Sequence, residues 1–220
     1  MPVRQDSNYS EKVNSGRATV IRSMSREMLS LLGPENVLSA KEDLLLYELD
    51  GSVERARPEL VVFPRTTEEV SRVVKVAARY ETPIVGRGAG TGLSGGALAR
   101  GGGVMIVFAR MNKILEIDLA SQRAVVQPGV VNADITTAVE HAGLYFAPDP
   151  SSQKSCTIGG NVAENAGGRT RWRTESLQII SQRLNWCCRM ARLRVLEAST
   201  EMRQATISAG FSSEAREPSR

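Results

Sequence analysis

The sequence predicts an α+β fold, a small mixed sheet with flanking helices, and three observations carry that prediction. A strand, helix, strand order runs from Glu59 to Arg87, three short strand patterns lie between Val104 and Gln127, and a glycine-dense loop joins the two sets. The 220 residues are 41% hydrophobic, an ordinary fraction for a globular chain with one good core or two small ones.

The chain opens with a polar arm, and Met24, Met28, Leu31 and Leu32 then recur at helical spacing until Gly33-Pro34 stops the pattern. Ser39-Ala40-Lys41-Glu42 fits a capping box ahead of a short second helix over Leu44 to Leu46. Glu59 to Phe63 reads as a strand bracketed by prolines. Thr66-Thr67-Glu68-Glu69 is a second capping box, and Val70, Val73, Val74 and Ala77 mark the apolar face of the helix it opens, which ends before Pro83. Ile84 and Val85 start a strand that runs into the glycine loop. Val104 to Phe108, Ile114 to Asp118 and Ala124 to Gln127 follow as strands, and Pro128-Gly129 breaks the last. Asn132 is placed to cap a helix with Ile135, Ala138, Val139 and Ala142 on its apolar face and Gly143 in the stop position. Ala147 to Gly168 is too long and irregular for an ordinary connector, so it reads as a second ligand-binding loop.

Charge excludes one class of partner. From Arg169 onward there are ten Arg, no Lys and five Glu, which leaves 18 basic and 19 acidic residues in residues 1–168. The body is therefore neutral and only the tail is basic. No basic and aromatic interleaving marks the body, so no nucleic-acid partner is expected. No apolar run near the N-terminus resembles a signal, none elsewhere is long enough to span a bilayer, and three Cys, two of them adjacent (Cys187 and Cys188), give neither a disulfide framework nor metal-ligand spacing. A reducing, cytoplasmic location without a metal site is the expectation.

The loop Gly86-Arg87-Gly88-Ala89-Gly90-Thr91-Gly92-Leu93-Ser94-Gly95-Gly96 holds six glycines in eleven positions. Without Cβ atoms in the way, successive backbone N–H groups can converge on the oxygens of an anion. Gly90-x-Gly92-x-x-Gly95 satisfies G-x-G-x-x-G as a string, but a dinucleotide fold needs that string to open a long helix, and Gly101-Gly102-Gly103 follows almost at once. No Lys-Ser or Lys-Thr stands at Walker spacing. Both familiar phosphate motifs are excluded, and the loop lies between two strands.

Taken with Pro64 and its following helix, with Pro128-Gly129-Val130, and with the second motif Pro148-Asp149-Pro150-Ser151-Ser152-Gln153-Lys154-Ser155-Cys156-Thr157-Ile158-Gly159-Gly160-Asn161 running on to Gly167-Gly168, the chain resembles the FAD-binding domain of the vanillyl-alcohol oxidase and p-cresol methylhydroxylase (PCMH) type. Within that group it is most similar to the FAD subunit of glycolate oxidase and the related D-lactate dehydrogenases. The resemblance covers roughly residues 35–168 and rests on two motifs in the right order. It implies that Arg87, Gly88, Ala89, Gly90, Thr91 and Gly95 wrap the FAD pyrophosphate, mainly through backbone N–H groups. Pro148, Asp149 and Ser151 would line the cofactor from the second loop, and Thr157, Gly159, Gly160 and Asn161 would pass close to the pyrophosphate and isoalloxazine. The first loop carries no His, so FAD is expected to be noncovalent.

The family reaction oxidises a 2-hydroxy acid to the 2-oxo acid with hydride transfer to flavin. The base and the carboxylate-binding cation belong to a cap domain and C-terminal segment in that family, and nothing here matches them, so the catalytic residues are unknown. His141, the only histidine, falls at the end of the Asn132 helix and reads as structural. After Gly168 the composition shifts abruptly: both Trp, two of the three Cys, and no Lys or Asp lie beyond it. The expected organisation is an N-terminal arm and helix (1–34), a PCMH-type FAD-binding domain incomplete at its C-terminus (35–168), and a frameshifted Arg-rich tail foreign to the fold (169–220). The alternative for the tail is an interaction helix carrying Leu177, Ile180, Leu184 and Cys188. Besides substrate, other oxidase subunits and an electron acceptor are expected partners, which would hold the chain at the periphery of the inner membrane. The alternative to an oxidoreductase subunit is an FAD-binding module, or a truncated product, without catalysis of its own.

Overall fold

The computed structural model describes residues 7–168, 183–187, 193–197 and 208–212. Helix α1 spans Ser7–Leu32, and strand β1 (Val37–Leu38) follows a single 3-10 turn. The one-turn helix α2 (Lys41–Leu44), strand β2 (Leu60–Val62), helix α3 (Thr67–Arg79) and strand β3 (Ile84–Arg87) come next. The glycine loop leads to β4 (Val104–Val107), then β5 (Ile114–Asp118), β6 (Arg123–Val126), helix α4 (Asn132–Val139), β7 (Tyr145–Phe146) and helix α5 (Ile158–Ala163). Strands β8 (Arg183–Cys187), β9 (Leu193–Glu197) and β10 (Ser208–Ser212) complete the described elements.

Two four-stranded sheets organise these elements. The first has the order β1-β2-β4-β3 and is mixed: β1 is antiparallel to β2, while β2 and β3 both run parallel to β4. Its central strands are buried on both faces. Leu60, Val62, Val104 and Ile106 point to one side, where Met24, Met28 and Leu32 of α1 and Val73, Val76 and Ala77 of α3 cover them. Val61, Met105 and Val107 point to the other, against Leu44 and Ala99. This is the period-two alternation of a strand read on both faces at once, and it explains why β2 and β4 are continuous apolar runs. Each fully buried Val, Leu or Met contributes about 1.5–3 kcal/mol. The second sheet, β5-β6-β10-β7, is antiparallel and packs Ala124 and Val126 against Ile135, Val139, Leu144, Phe146 and Ile158. No described helix is long and apolar enough to cross a membrane.

The structure corrects four readings. The polar arm is helical from Ser7, because the docked half of α1 supplies the nucleus and each further residue adds one hydrogen bond. Arg17 ties that extension down: its Nε donates to Glu59 Oε1 at 2.5 Å, its Nη2 to Glu59 Oε2 at 2.8 Å, and Glu59 in turn accepts from the Gly103 amide at 2.8 Å. Ser39 does not cap α2. The helix starts one residue later with Ala40 at the cap and no side-chain bond, which seats Leu44 beneath Val61 and Met105. Asn132 does not cap α4 either; it is the first helical residue, and its backbone amide donates to Cys156 O at 3.0 Å. The tail helix is overturned at Leu184, which lies in β8 paired with β9; Leu177, Ile180 and Cys188 lie outside the described residues, as does most of the expected foreign tail.

The cap at α3 is real. Thr66 Oγ1 accepts from the Glu69 amide at 3.2 Å, and the Glu69 carboxylate accepts from the Arg65 amide at 2.7 Å. Thr66→Ala is expected to cost ~1 kcal/mol of stability, seen as a lower urea midpoint at unchanged slope; an unchanged midpoint would deny the cap any role.

Candidate functional site

The glycine loop leaves the C-terminal end of β3 at Arg87 and returns through a tight turn in which Leu98 and Ala99 are buried. Gly90 (φ 72) and Gly95 (φ 75) take the left-handed conformation that L side chains avoid. Among the described residues, no amide from Ala89 to Gly96 donates to another described group. Eight successive backbone donors are thus left for something other than this part of the protein. Backbone N–H groups are strong, obligatory donors, so a run of them without acceptors marks a site for water or an anion.

The second motif closes on this loop. Pro128 to Val131 holds it in place: Ile158 N donates to Val130 O at 2.9 Å, Gly159 N to Pro128 O at 2.8 Å, and Thr157 bridges Val131. Gly88 then approaches Thr157 so closely that a Cβ on Gly88 would land on Thr157 Oγ1 and lie 3.8 Å from Gly160 Cα. Six residues further on, Ser94 Oγ donates to Glu164 Oε2 at 2.7 Å. Motifs 70 residues apart in the chain therefore face each other at two points.

Of the residues expected at the site, Arg87, Gly88, Gly90, Gly95, Gly159 and Gly160 are half-buried, Thr157 and Asn161 are buried, and Ala89 and Thr91 are exposed. Gly88 meets Thr157 and Gly160, and Gly90 meets the Arg87 guanidinium. Pro148 is buried and Ser151 exposed at the start of the second motif. There the Asp149 amide donates to Gly167 O at 3.3 Å and Asp149 bridges Gly168, so this end of the motif forms a separate wall. His141 is exposed in the 3-10 turn after α4.

Sequence reasoning missed the third side of the site, the turn Leu49-Asp50-Gly51-Ser52. A Cβ on Gly51 would lie 2.8 Å from both Thr91 O and Gly92 O. Asp50 Oδ1 accepts from the Ser52 amide at 2.8 Å, and the Arg87 guanidinium sits 5.8 Å from the centroid of the Tyr47 ring. Burial lowers the Arg87 pKa against the opposing charges of Asp50 and Tyr47. Burial also raises the Tyr47 hydroxyl, Arg87 opposing it and Asp43 adding to it. Burial pushes the Asp50 carboxyl up, but hydrogen bonds from Ser52 and the Arg87 charge outweigh it and hold it below the ordinary carboxylate range. An Asp-Gly pair is a turn signal, and that was the only trace of this wall in the sequence.

The residues present fit FAD. Arg87 Nη1, Thr157 Oγ1 and Asn161 Nδ2 are buried without a hydrogen-bond partner, and they lie in the two segments that carry the free amides or touch them. Buried polar groups are normally satisfied, so these three suit a ligand rich in acceptors, although Asn36, Asp50 and Asn132 also bury unpartnered atoms elsewhere. A dianionic pyrophosphate is matched by such fixed donors. A separate cavity of about 570 Å³ opens beside Arg65, Arg110 and Lys113. None of the expected site residues lines it, and its polar groups are largely engaged: Arg110 donates to Glu35 O at 2.9 Å and Gln127 Oε1 accepts from the Lys113 amide at 2.9 Å.

Known proteins resemble this chain in sequence and fold. The sequence model of one family, described as an FAD binding domain, matches residues 58–182. The chain is 54% identical over 133 residues to glycolate oxidase subunit GlcD of Escherichia coli, covering 60% of this chain and 27% of that protein. It is 47% identical over 114 residues to a D-lactate dehydrogenase of Anaerostipes hadrus, covering 52% of this chain and 24% of the relative. The chain thus spans about a quarter of the length of these curated relatives. Among solved structures, 4-ethylphenol oxidase from Gulosibacter chungangensis superimposes with a TM-score of 0.76 at 20% identity over 91% of this chain and 44% of its own. p-Cresol methylhydroxylase does so with a TM-score of 0.70 at 18% identity over 88% and 43%. These two show a shared fold.

Two outcomes test the geometry. A methyl on Gly159 would lie 2.8 Å from Pro128 Cβ and 3.0 Å from Pro128 O, whereas one on Gly92 meets nothing within 4 Å. Gly159→Ala is expected to cost about 1–3 kcal/mol in chemical denaturation and Gly92→Ala to stay within about 0.5 kcal/mol; equal costs would contradict the packing. Asp50 titrates lower in the fold than in the unfolded chain, so its contribution is complete above about pH 4 and is lost as pH falls through the folded value. Asp50→Asn should therefore lower stability at neutral pH and flatten its decline in acid, measured as unfolding midpoint against pH; parallel curves for the two proteins would refute this.

Proposed function

The chain belongs to the FAD binding domain family, with FAD as its cofactor, and from that premise we propose that it serves an FAD-dependent oxidoreductase that converts a 2-hydroxy acid of the glycolate or D-lactate type to the 2-oxo acid. The observation that carries the reading of the site is the run of acceptor-free amides at Ala89 to Gly96 closed over by Thr157 and Glu164. The substrate class rests on the relatives, one a glycolate oxidase subunit and one a D-lactate dehydrogenase by name.

In this reading Arg87, Gly88, Ala89, Gly90, Thr91 and Gly95 surround the pyrophosphate through backbone donors, and Thr157 Oγ1 and the Asn161 amide add side-chain donors from the facing segment. Gly159 and Gly160 let that segment approach the ligand closely, and Pro148, Asp149 and Ser151 line the far wall. FAD, when bound, supplies the hydride acceptor. The donors of this chain orient it and exclude water on the pyrophosphate side, and they act from fixed positions in a partly dry site, where each is worth more than in water. No described group is assigned the part of base or carboxylate clamp. The chain therefore works with other subunits, in the cytoplasm or at the inner membrane surface, and residues 35–168 are its FAD-binding unit.

A second reading, an FAD-binding module without turnover of its own, is favoured by one fact: the only histidine, His141, is exposed in the turn after α4.

The two readings separate on the purified full chain. It is expected to bind FAD and to release it into the supernatant on acid precipitation, since no His stands in the glycine loop. Flavin left in the pellet would overturn noncovalent binding. Bleaching of the visible flavin band by glycolate or D-lactate without oxygen supports the oxidoreductase; binding without bleaching assigns the module, and no binding removes both.

A further inference from the structure

Resting on the reading of residues 87–96 as the cradle of the FAD pyrophosphate, we propose that Tyr47, Asp50 and Gly51 form a latch that sets the shape of this loop, with Asp50 as a positioning residue acting through Arg87. Arg87 ends β3, and its guanidinium turns back beneath the loop: Nη2, Cζ and Nε fill the space where a Cβ on Gly90 would stand. The guanidinium thus backs the loop at the one point of its first half where φ is positive, Gly90 at 72.

On its other side the guanidinium lies over the Tyr47 ring at 5.8 Å, and the Asp50 charge acts on it without a direct ion pair. Arg87 is half-buried and its Nη1 has no hydrogen-bond partner, so the Tyr47 ring and the Asp50 charge offset part of the cost of burying it. Asp50 is itself fixed by the Ser52 amide at 2.8 Å. That bond shapes the turn that brings Gly51 against Thr91 O and Gly92 O, each 2.8 Å from the position of a Cβ on Gly51.

The second contact decides where two donors point. In a planar trans peptide the carbonyl and the N–H lie on opposite sides, and no peptide in the described chain is cis. With Thr91 O and Gly92 O turned toward Gly51, the N–H groups of Gly92 and Leu93 turn away from the latch. Both belong to the run of amides without an acceptor. Asp50 and Gly51 thus orient phosphate donors that they never touch.

The test is titration of the full chain and its Asp50→Asn, Asp50→Glu and Gly51→Ala variants with FAD and, separately, with ADP, which carries the pyrophosphate without the flavin. Asp50→Asn and Gly51→Ala are expected to raise both dissociation constants by about tenfold, and Asp50→Glu to recover most of the loss. A lower unfolding midpoint for Asp50→Asn with unchanged FAD and ADP constants overturns the latch and leaves Asp50 purely structural. If Asp50→Asn does not fold, Gly51→Ala decides alone: unchanged affinity overturns the proposal, and a parallel loss for FAD and ADP supports it. A wild-type chain that binds neither FAD nor ADP refutes the reading of the loop itself, which separates that failure from failure of the latch.

Discussion

Everything at the candidate site depends on how closely Gly88 approaches Thr157. The glycine loop hangs from the mixed sheet and the Thr157 segment from the Pro128 to Val131 crossing beside the antiparallel sheet, so this contact joins the two halves of the domain. A Cβ at residue 88 would overlap the Thr157 hydroxyl and force it to turn away, while the nearest backbone atom, Gly160 Cα, would stay 3.8 Å off. The Thr157 segment is itself held by backbone contacts, Gly159 against Pro128 and Ile158 N on Val130 O, and that packing is stiff.

Stiffness matters because the chemistry on offer is electrostatic. Eight backbone amides without an acceptor, a threonine hydroxyl and a carboxamide are weak donors singly, but donors fixed by the fold need little reorganisation to meet an anion. A cluster of lysines would carry more charge and would lose more side-chain freedom on binding. The one cation in the loop, Arg87, is consistent with this arrangement: it stands behind Gly90 and over the Tyr47 ring.

Much of the fold was legible in the sequence, and the exceptions share a cause. Strands β2, β3, β4, β5 and β6 and helix α3 fall where apolar alternation, prolines and the Thr66 cap put them, because local pattern and burial agree there. Ser39 and Asn132 are good capping residues that do not cap, since seating Leu44 in the core and joining Val131 to Thr157 moved each helix start by a residue. The first half of α1 looked like a polar arm because its order comes from the docking of Met24, Met28 and Leu32 and from the Arg17–Glu59 pair, not from its own periodicity. At the site, the two glycine-bearing motifs were visible as strings, but Tyr47, Asp50 and Gly51 were not, because a single Asp-Gly turn looks the same whether it faces water or packs against a glycine loop.

The sequence by itself determined most strands and helix α3 and the neutral body with a basic tail, because proline positions and apolar periodicity act over a few residues, while the family and its cofactor entered through the resemblance of the two glycine-bearing motifs. The tertiary structure decided which face of each glycine is occupied, that Thr157 and Glu164 close on Gly88 and Ser94, and that a turn near residue 50 points the loop's amides. Those are contacts between residues about 40 to 70 positions apart, and no local pattern encodes them: they exist only once two sheets have packed and the loops at their edges have been brought within hydrogen-bonding range.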